Sequence, residues 1–127
     1  MAPKTVDELL ADARRGLDRM DPAQACGAIA RGALLIDIRS ESQRERDGTV
    51  PGSIFIPRNV LEWRCDPASP HRDPRIDGHA QQLIVMCDEG YQSSLAAAAL
   101  HDLGRTTATD LAGGFQAWRT AGLPVQP

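Results

Sequence analysis

The chain has 127 residues, the length of one domain with one core. With 42% hydrophobic residues, 24% charged residues and a net charge of −3, it reads as a soluble globular protein, and nothing in the balance points to nucleic acid or an anionic membrane as a partner. No window approaches the ~18 apolar residues that span a bilayer, and Met1-Ala2-Pro3-Lys4-Thr5 has no apolar signal core, so a cytoplasmic location is expected.

Thr5 caps a predicted helix from Val6 to about Asp18, with Asp7 and Glu8 in its first turn, where negative charge is favoured. Val6, Leu9, Leu10, Ala13 and Leu17 form one apolar stripe at helical spacing. Asp21-Pro22 starts a second helix that runs to about Ala30, with Cys26 inside it as a small buried side chain. Leu34-Leu35-Ile36-Asp37-Ile38 is a short branched run, the mark of a buried parallel strand. Ser40 caps a charged helix from Glu41 to about Asp47.

A turn at Gly48-Thr49-Val50-Pro51-Gly52 leads into a second strand over Ser53-Ile54-Phe55-Ile56, stopped by Pro57. Asn59 is placed to cap one or two helical turns through Val60, Leu61, Trp63 and Arg64. From Cys65 to Gly78 the chain is polar and proline-rich, a long loop expected to be ordered by packing rather than by its own hydrogen bonds. His71 and His79 are eight residues apart with no ligand cluster around them, which reads as solvent-exposed histidine and not as a metal site.

Leu83-Ile84-Val85-Met86 is a third strand that stops at Cys87. A short loop containing Gly90 follows, then a helix from Ser93 to Leu103 with Gly104 as its cap. Thr106 to Leu111 is a fourth strand, and Gly113-Gly114 opens a last helix from Phe115 to Thr120. Trp63 and Trp118 are expected in or at the edge of the core. Strands alternating with helices imply an α/β fold, an open parallel sheet of four to five strands with helices on both faces.

A strand feeding a tight loop into a helix builds a small anion pocket, because loop N–H groups and the helix N-terminus face one point. A cysteine at the start of that loop is placed where a thiolate is stabilised, and thiolate is the attacking form of a group whose unperturbed pKa is ~8.5. Cys87 is therefore the candidate nucleophile, against the plainer reading of an inert cysteine at a strand end. The three cysteines Cys26, Cys65 and Cys87 have no paired spacing, which argues against a disulfide framework and suits a reducing compartment.

Three segments resemble the single-domain rhodaneses, the thiosulfate sulfurtransferase-like proteins. They are Leu35 to Arg39 followed by Val50 to Pro57, Cys87 to Ser93, and Leu111-Ala112-Gly113-Gly114-Phe115-Gln116-Ala117-Trp118 with Ala121 to Val125. The resemblance covers about residues 34–125. It implies a rhodanese-like domain over 34–127, with the helices of 1–33 packed on it as part of one domain. It also implies that Cys87 takes a sulfane sulfur as a persulfide and passes it to a thiophilic acceptor, with no metal or organic cofactor.

The pattern departs at one place. The usual loop of that family runs Cys-x-x-Gly-x-Arg-Ser, and here Gln92 stands at the arginine. Asp88 and Glu89 occupy positions where the family carries cations. Two charges ~4 Å apart interact by about 4 kcal/mol at an effective dielectric of 20, so this loop disfavours a thiolate and a dianionic donor such as thiosulfate. A neutral, cationic or protein-borne sulfur donor and acceptor are expected instead. The substrate-binding candidates are Asp88, Glu89, Gly90, Tyr91, Gln92 and Ser93 of the loop.

Arg39 and Arg58 each follow a strand end and so border the same crevice. Arg39 is read as the partner of Asp37 or Glu41, and Arg58 is carried as a candidate at the pocket mouth. Cys65 could approach Cys87 as a resolving thiol or be a bystander. A loop one residue longer, as in tyrosine-phosphatase relatives, would put its arginine at Ser93, so phosphoryl transfer lacks its clamp at either length. The alternative to an enzyme is a rhodanese fold that senses or binds a protein without turnover.

Overall fold

The computed structural model describes residues 2–76, 78 and 80–127; His79 lies outside the described residues. The elements are α1 (Val6–Arg15), α2 (Pro22–Ala30), β1 (Leu34–Asp37), α3 (Glu41–Asp47), β2 (Ile54–Phe55), α4 (Leu61–Cys65), β3 (Leu83–Met86), α5 (Gln92–Asp102), β4 (Thr109–Asp110) and α6 (Gly114–Thr120). The strands form one sheet in the order β2-β1-β3-β4, and every pair is parallel.

The central strand β3 shows why the sheet is covered on both faces. Leu83, Val85 and Cys87 point into one core with Leu61, Ala96, Ala97 and Leu100. Ile84 and Met86 point into a second core with Ala25, Ala28, Phe115 and Trp118. A strand alternates its side chains between faces, so a continuous apolar run requires helices on both sides. Here α4 and α5 cover one face and α2 and α6 the other. Ala96 and Ala97 are fully buried, and their small side chains let α5 approach the sheet closely.

The three predicted caps on α1, α2 and α3 form as reciprocal capping boxes, from Thr5, Asp21 and Ser40. Other expectations need correction. Helix α1 stops at Arg15 because Gly16 caps it, and its stripe is only partly used: Val6 and Leu9 remain exposed while Leu17, beyond the helix, is buried. The second and fourth strands, both at sheet edges, are two residues each: Pro57 ends β2, and the turn at Arg105–Ala108 delays the start of β4. Asn59 caps nothing; a 3-10 turn at Arg58–Val60 enters α4 without a side-chain cap. Trp63 is 59% exposed, on the outside of α4, whereas Trp118 is buried and donates its indole N–H to the Pro124 carbonyl at 2.9 Å.

The loop after α4 is ordered by hydrogen bonds of its own as well as by packing. The Arg64 carbonyl accepts from the Asp73 N–H at 2.9 Å, and the buried Asp73 carboxylate pairs with Arg75 at 2.6 Å and Arg64 at 3.4 Å. His71 is exposed, as expected. Among the described residues no helix is long and apolar enough to cross a membrane.

Candidate active site

Cys87 directly follows β3, and its Sγ accepts two backbone hydrogen bonds, from Gly90 N–H at 3.1 Å and Ser93 N–H at 3.4 Å. The cradle needs Gly90, whose φ of +89° is a left-handed value and whose missing Cβ would lie 2.7 Å from the Gly113 nitrogen. Ser93 is in the first turn of α5, so its N–H is one of the donors a helix N-terminus leaves free. Cys87 is 8% exposed and lies at a cavity of about 330 Å³.

The loop is clamped from α6. Phe115 N–H donates to the Cys87 carbonyl at 2.9 Å and Gln116 N–H to the Asp88 carbonyl at 3.1 Å. This close approach explains Gly114: a Cβ there would lie 2.5 Å from the Asp88 carbonyl oxygen. The Gln116 side-chain amide donates to Asp88 Oδ1 at 2.9 Å and to Asp47 Oδ2 at 3.1 Å. One amide thus tethers the Asp88 carboxylate to the α6 side of the loop. Asp47 is held down to about 2, first by its hydrogen bond from Arg46.

The structure places the predicted residues as follows. Asp88, Glu89, Tyr91 and Gln92 line the cavity with Cys87, while Gly90 and Ser93 act through the backbone beneath it. Glu89, Tyr91 and Gln92 are exposed. Arg58 reaches the loop: its Nε donates to Gln92 Oε1 at 3.3 Å, while Nη1 pairs with Glu62 at 2.8 Å. Arg58 is not part of the cavity wall. Arg39 forms part of that wall but spends its guanidinium elsewhere. It is buried in a two-point pair with Asp37, at 3.1 and 2.8 Å, and donates to the Gly48 carbonyl at 2.8 Å. Glu41 is not its partner in any of these bonds.

Cys65 is fully buried, and burial pushes its thiol up to about 12, which removes the thiolate a resolving cysteine requires. Cys26 is half-buried on α2, in the second core and away from the loop's face of the sheet.

Further residues at the site escape sequence reasoning. Arg14 and Arg19 each donate to the Gly90 carbonyl at 2.9 Å. Arg19 also forks onto the buried Asp110 carboxylate at 3.0 and 3.3 Å, and Asp110 Oδ2 accepts from both Ser93 and Ser94 hydroxyls at 2.7 and 2.8 Å. Arg14 Nε donates to Ser94 Oγ at 3.1 Å. Among the described residues no group of three metal-ligating side chains forms.

A parallel α/β sheet with a cysteine loop of this geometry defines a rhodanese-type domain. The chain belongs to the rhodanese-like domain family, whose model matches residues 21–121. It is 30% identical over 102 residues to the thiosulfate sulfurtransferase GlpE of Pseudomonas syringae, covering 80% of this chain and 87% of that protein. It is 28% identical over 92 residues to a sulfurtransferase of Allochromatium vinosum, covering 72% and 77%. Among solved structures, a protein of unknown function from Rhodopseudomonas palustris, described as a possible tyrosine phosphatase, superposes with a TM-score of 0.87 at 31% identity over 99% of this chain and 97% of that one. A rhodanese-related protein from Thermoplasma volcanium superposes with a TM-score of 0.67 at 25% identity, covering 85% and 96%.

Proposed function

We propose that the protein moves sulfane sulfur through a persulfide on Cys87, in the cytoplasm, using a persulfide or protein-borne donor in preference to thiosulfate. The observation that carries this reading is the pair of backbone N–H groups on Cys87 Sγ at the edge of an open cavity. Such a cradle stabilises an anionic sulfur, first the thiolate and then the terminal sulfur of the persulfide.

The chemistry is two exchanges. The Cys87 thiolate attacks the outer sulfur of a donor R–S–SH, the donor's S–S bond breaks, and R–S⁻ leaves with the electron pair. An acceptor thiolate then attacks the outer sulfur of Cys87–S–SH, and Cys87 leaves as thiolate. No net oxidation occurs and no cofactor is needed. The donor preference follows from the cavity wall, which carries Asp88 and Glu89 and a neutral Gln92, while the Arg39 guanidinium is committed to Asp37. A dianion entering there meets two carboxylates, and the guanidinium in the wall is already ion-paired to Asp37 with only its Nη1 unpartnered.

The second reading is a binding or sensing module, and Gln92 in the arginine position is what favours it. Phosphoryl transfer is disfavoured by the same cavity: Gln92 stands at the arginine position, and the Arg39 guanidinium in the wall is paired to Asp37 through Nε and Nη2, leaving only Nη1 without a partner and no two-point fork for a phosphate. Steady-state transfer to a small thiol, measured with thiosulfate and with a persulfide donor, separates these readings. The sulfurtransferase reading expects the larger kcat/KM with the persulfide donor. Equal rates overturn the charge argument, and no turnover with either donor favours the module.

A further inference from the structure

We propose that Arg14 and Arg19 are positioning residues for Cys87, supplying from behind the loop the positive charge that its own side chains lack. The inference deepens the sulfurtransferase reading and rests on Cys87 being the reactive thiol. Both guanidiniums converge on one acceptor, the Gly90 carbonyl, at 2.9 Å each. Gly90 is also the residue whose N–H donates to Cys87 Sγ at 3.1 Å. Holding its carbonyl restrains the glycine from one side, and so helps keep the adjoining N–H aimed at the sulfur.

Charge adds to geometry. Each guanidinium nitrogen is one hydrogen bond from Gly90, which is itself one hydrogen bond from the sulfur, so each lies within ~10 Å of Sγ by ordinary bond lengths. The groups facing the loop from that side are Arg14, Arg19 and Asp110, a net charge of +1. Those on the cavity side are Asp88 and Glu89, with Arg39 and Arg44 sharing the Asp37 carboxylate and Arg58 paired to Glu62. The carbonyl of Gly90 and the Asp110 carboxylate let two cations share one buried corner without mutual repulsion dominating. Neither arginine lies in the segment matched by the family model. A purely structural account, in which Arg14 only docks α1 on α5 and Arg19 only ties the following segment to β4, leaves unexplained why both end on the loop's glycine.

The test is the pH dependence of Cys87 alkylation by iodoacetamide, read by peptide mass, which requires no sulfur donor and so stands apart from the transfer reading. Removing one cation at that range in Arg14→Gln is expected to raise the alkylation midpoint by about half to one pH unit and slow the neutral-pH rate about fivefold. Arg14→Lys keeps the cation and is expected to restore most of the rate. Lys4→Gln removes a cation from the exposed end preceding the same helix, where it pairs with Asp12, and is expected to leave the midpoint unchanged. A natively folded Arg14→Gln protein with the wild-type midpoint overturns the proposal. If glutamine at 14 prevents folding, Arg19→Gln decides it: a raised midpoint supports the charge, and the wild-type midpoint overturns it.

Discussion

At the residue scale two cysteines of one core behave differently because of what surrounds each sulfur. Cys87 has two backbone donors and a cavity; Cys65 is fully buried, with its thiol pushed up to about 12. Iodoacetamide at neutral pH is therefore expected to label Cys87 and to spare Cys65 until the protein is denatured, as peptide mapping would show; equal labelling of the two contradicts this. The proposed donor preference turns on Gln92. Gln92→Arg returns a guanidinium to the cavity wall and is expected to raise kcat/KM for thiosulfate about tenfold, the effect of ~1.4 kcal/mol in the transition state. The cysteine cradle and the acidic loop were legible in the sequence because they lie within seven consecutive residues, where spacing alone carries geometry. Arg14 and Arg19 were not, because they meet Gly90 across separations of 76 and 71 residues.

At the element scale the site is a loop pinned between helices α5 and α6. The pinning explains which glycines matter. Gly114→Ala puts a Cβ 2.5 Å from the Asp88 carbonyl oxygen at a φ of +63°, and neither backbone can retreat without opening the Cys87 cradle. It is expected to cost about 2–4 kcal/mol in denaturant unfolding, with loss of Cys87 reactivity. Gly32→Ala is the comparison: its φ is +107° but no atom lies within 4 Å of the added Cβ, so about 1 kcal/mol is expected. A Gly114→Ala cost no larger than that of Gly32→Ala would remove the clamp from the account. The elements legible in the sequence were those with local signals, such as the apolar run of β3 and the Ser40–Gln43 box that starts α3. The start of β4 and the Trp63 face were misread because a turn decides the one and partners the other, rather than residue type. Thr106 to Ala108 has strand-forming residues but turns instead, with Ala108 N–H bonded to the Arg105 carbonyl at 3.1 Å.

At the scale of the whole molecule the arginine-rich composition is put to structural use. Thirteen of the 14 cationic residues are arginine, and several pair with carboxylates: Arg19–Asp110 and Arg119–Asp47 join segments far apart in the chain, while Arg75 and Arg64 hold Asp73 within one loop. Asp73 is held down to about 2, chiefly by the Arg75 hydrogen bond. A carboxyl depressed in the folded state contributes stability that is present above its unfolded value near 3.8 and is lost as pH falls toward 2. The melting temperature is thus expected to be flat from about pH 7 to 5 and to fall between about pH 4 and 2. Because Arg75 is 55% exposed, its share is discounted to about 1 kcal/mol, so Asp73→Asn should lower the neutral-pH melting temperature by about 4 °C and flatten part of the acid fall. An acid fall unchanged in Asp73→Asn would assign it to other carboxylates.

The central claim is that Cys87 carries the sulfur, and the intact mass of the protein after incubation with a persulfide donor tests it most directly. The expected result is a gain of one sulfur atom per chain, mapped to the peptide containing Cys87, reversed by a thiol acceptor and absent in Cys87→Ser. No gain on the wild-type protein, or a gain that persists in Cys87→Ser, would contradict it.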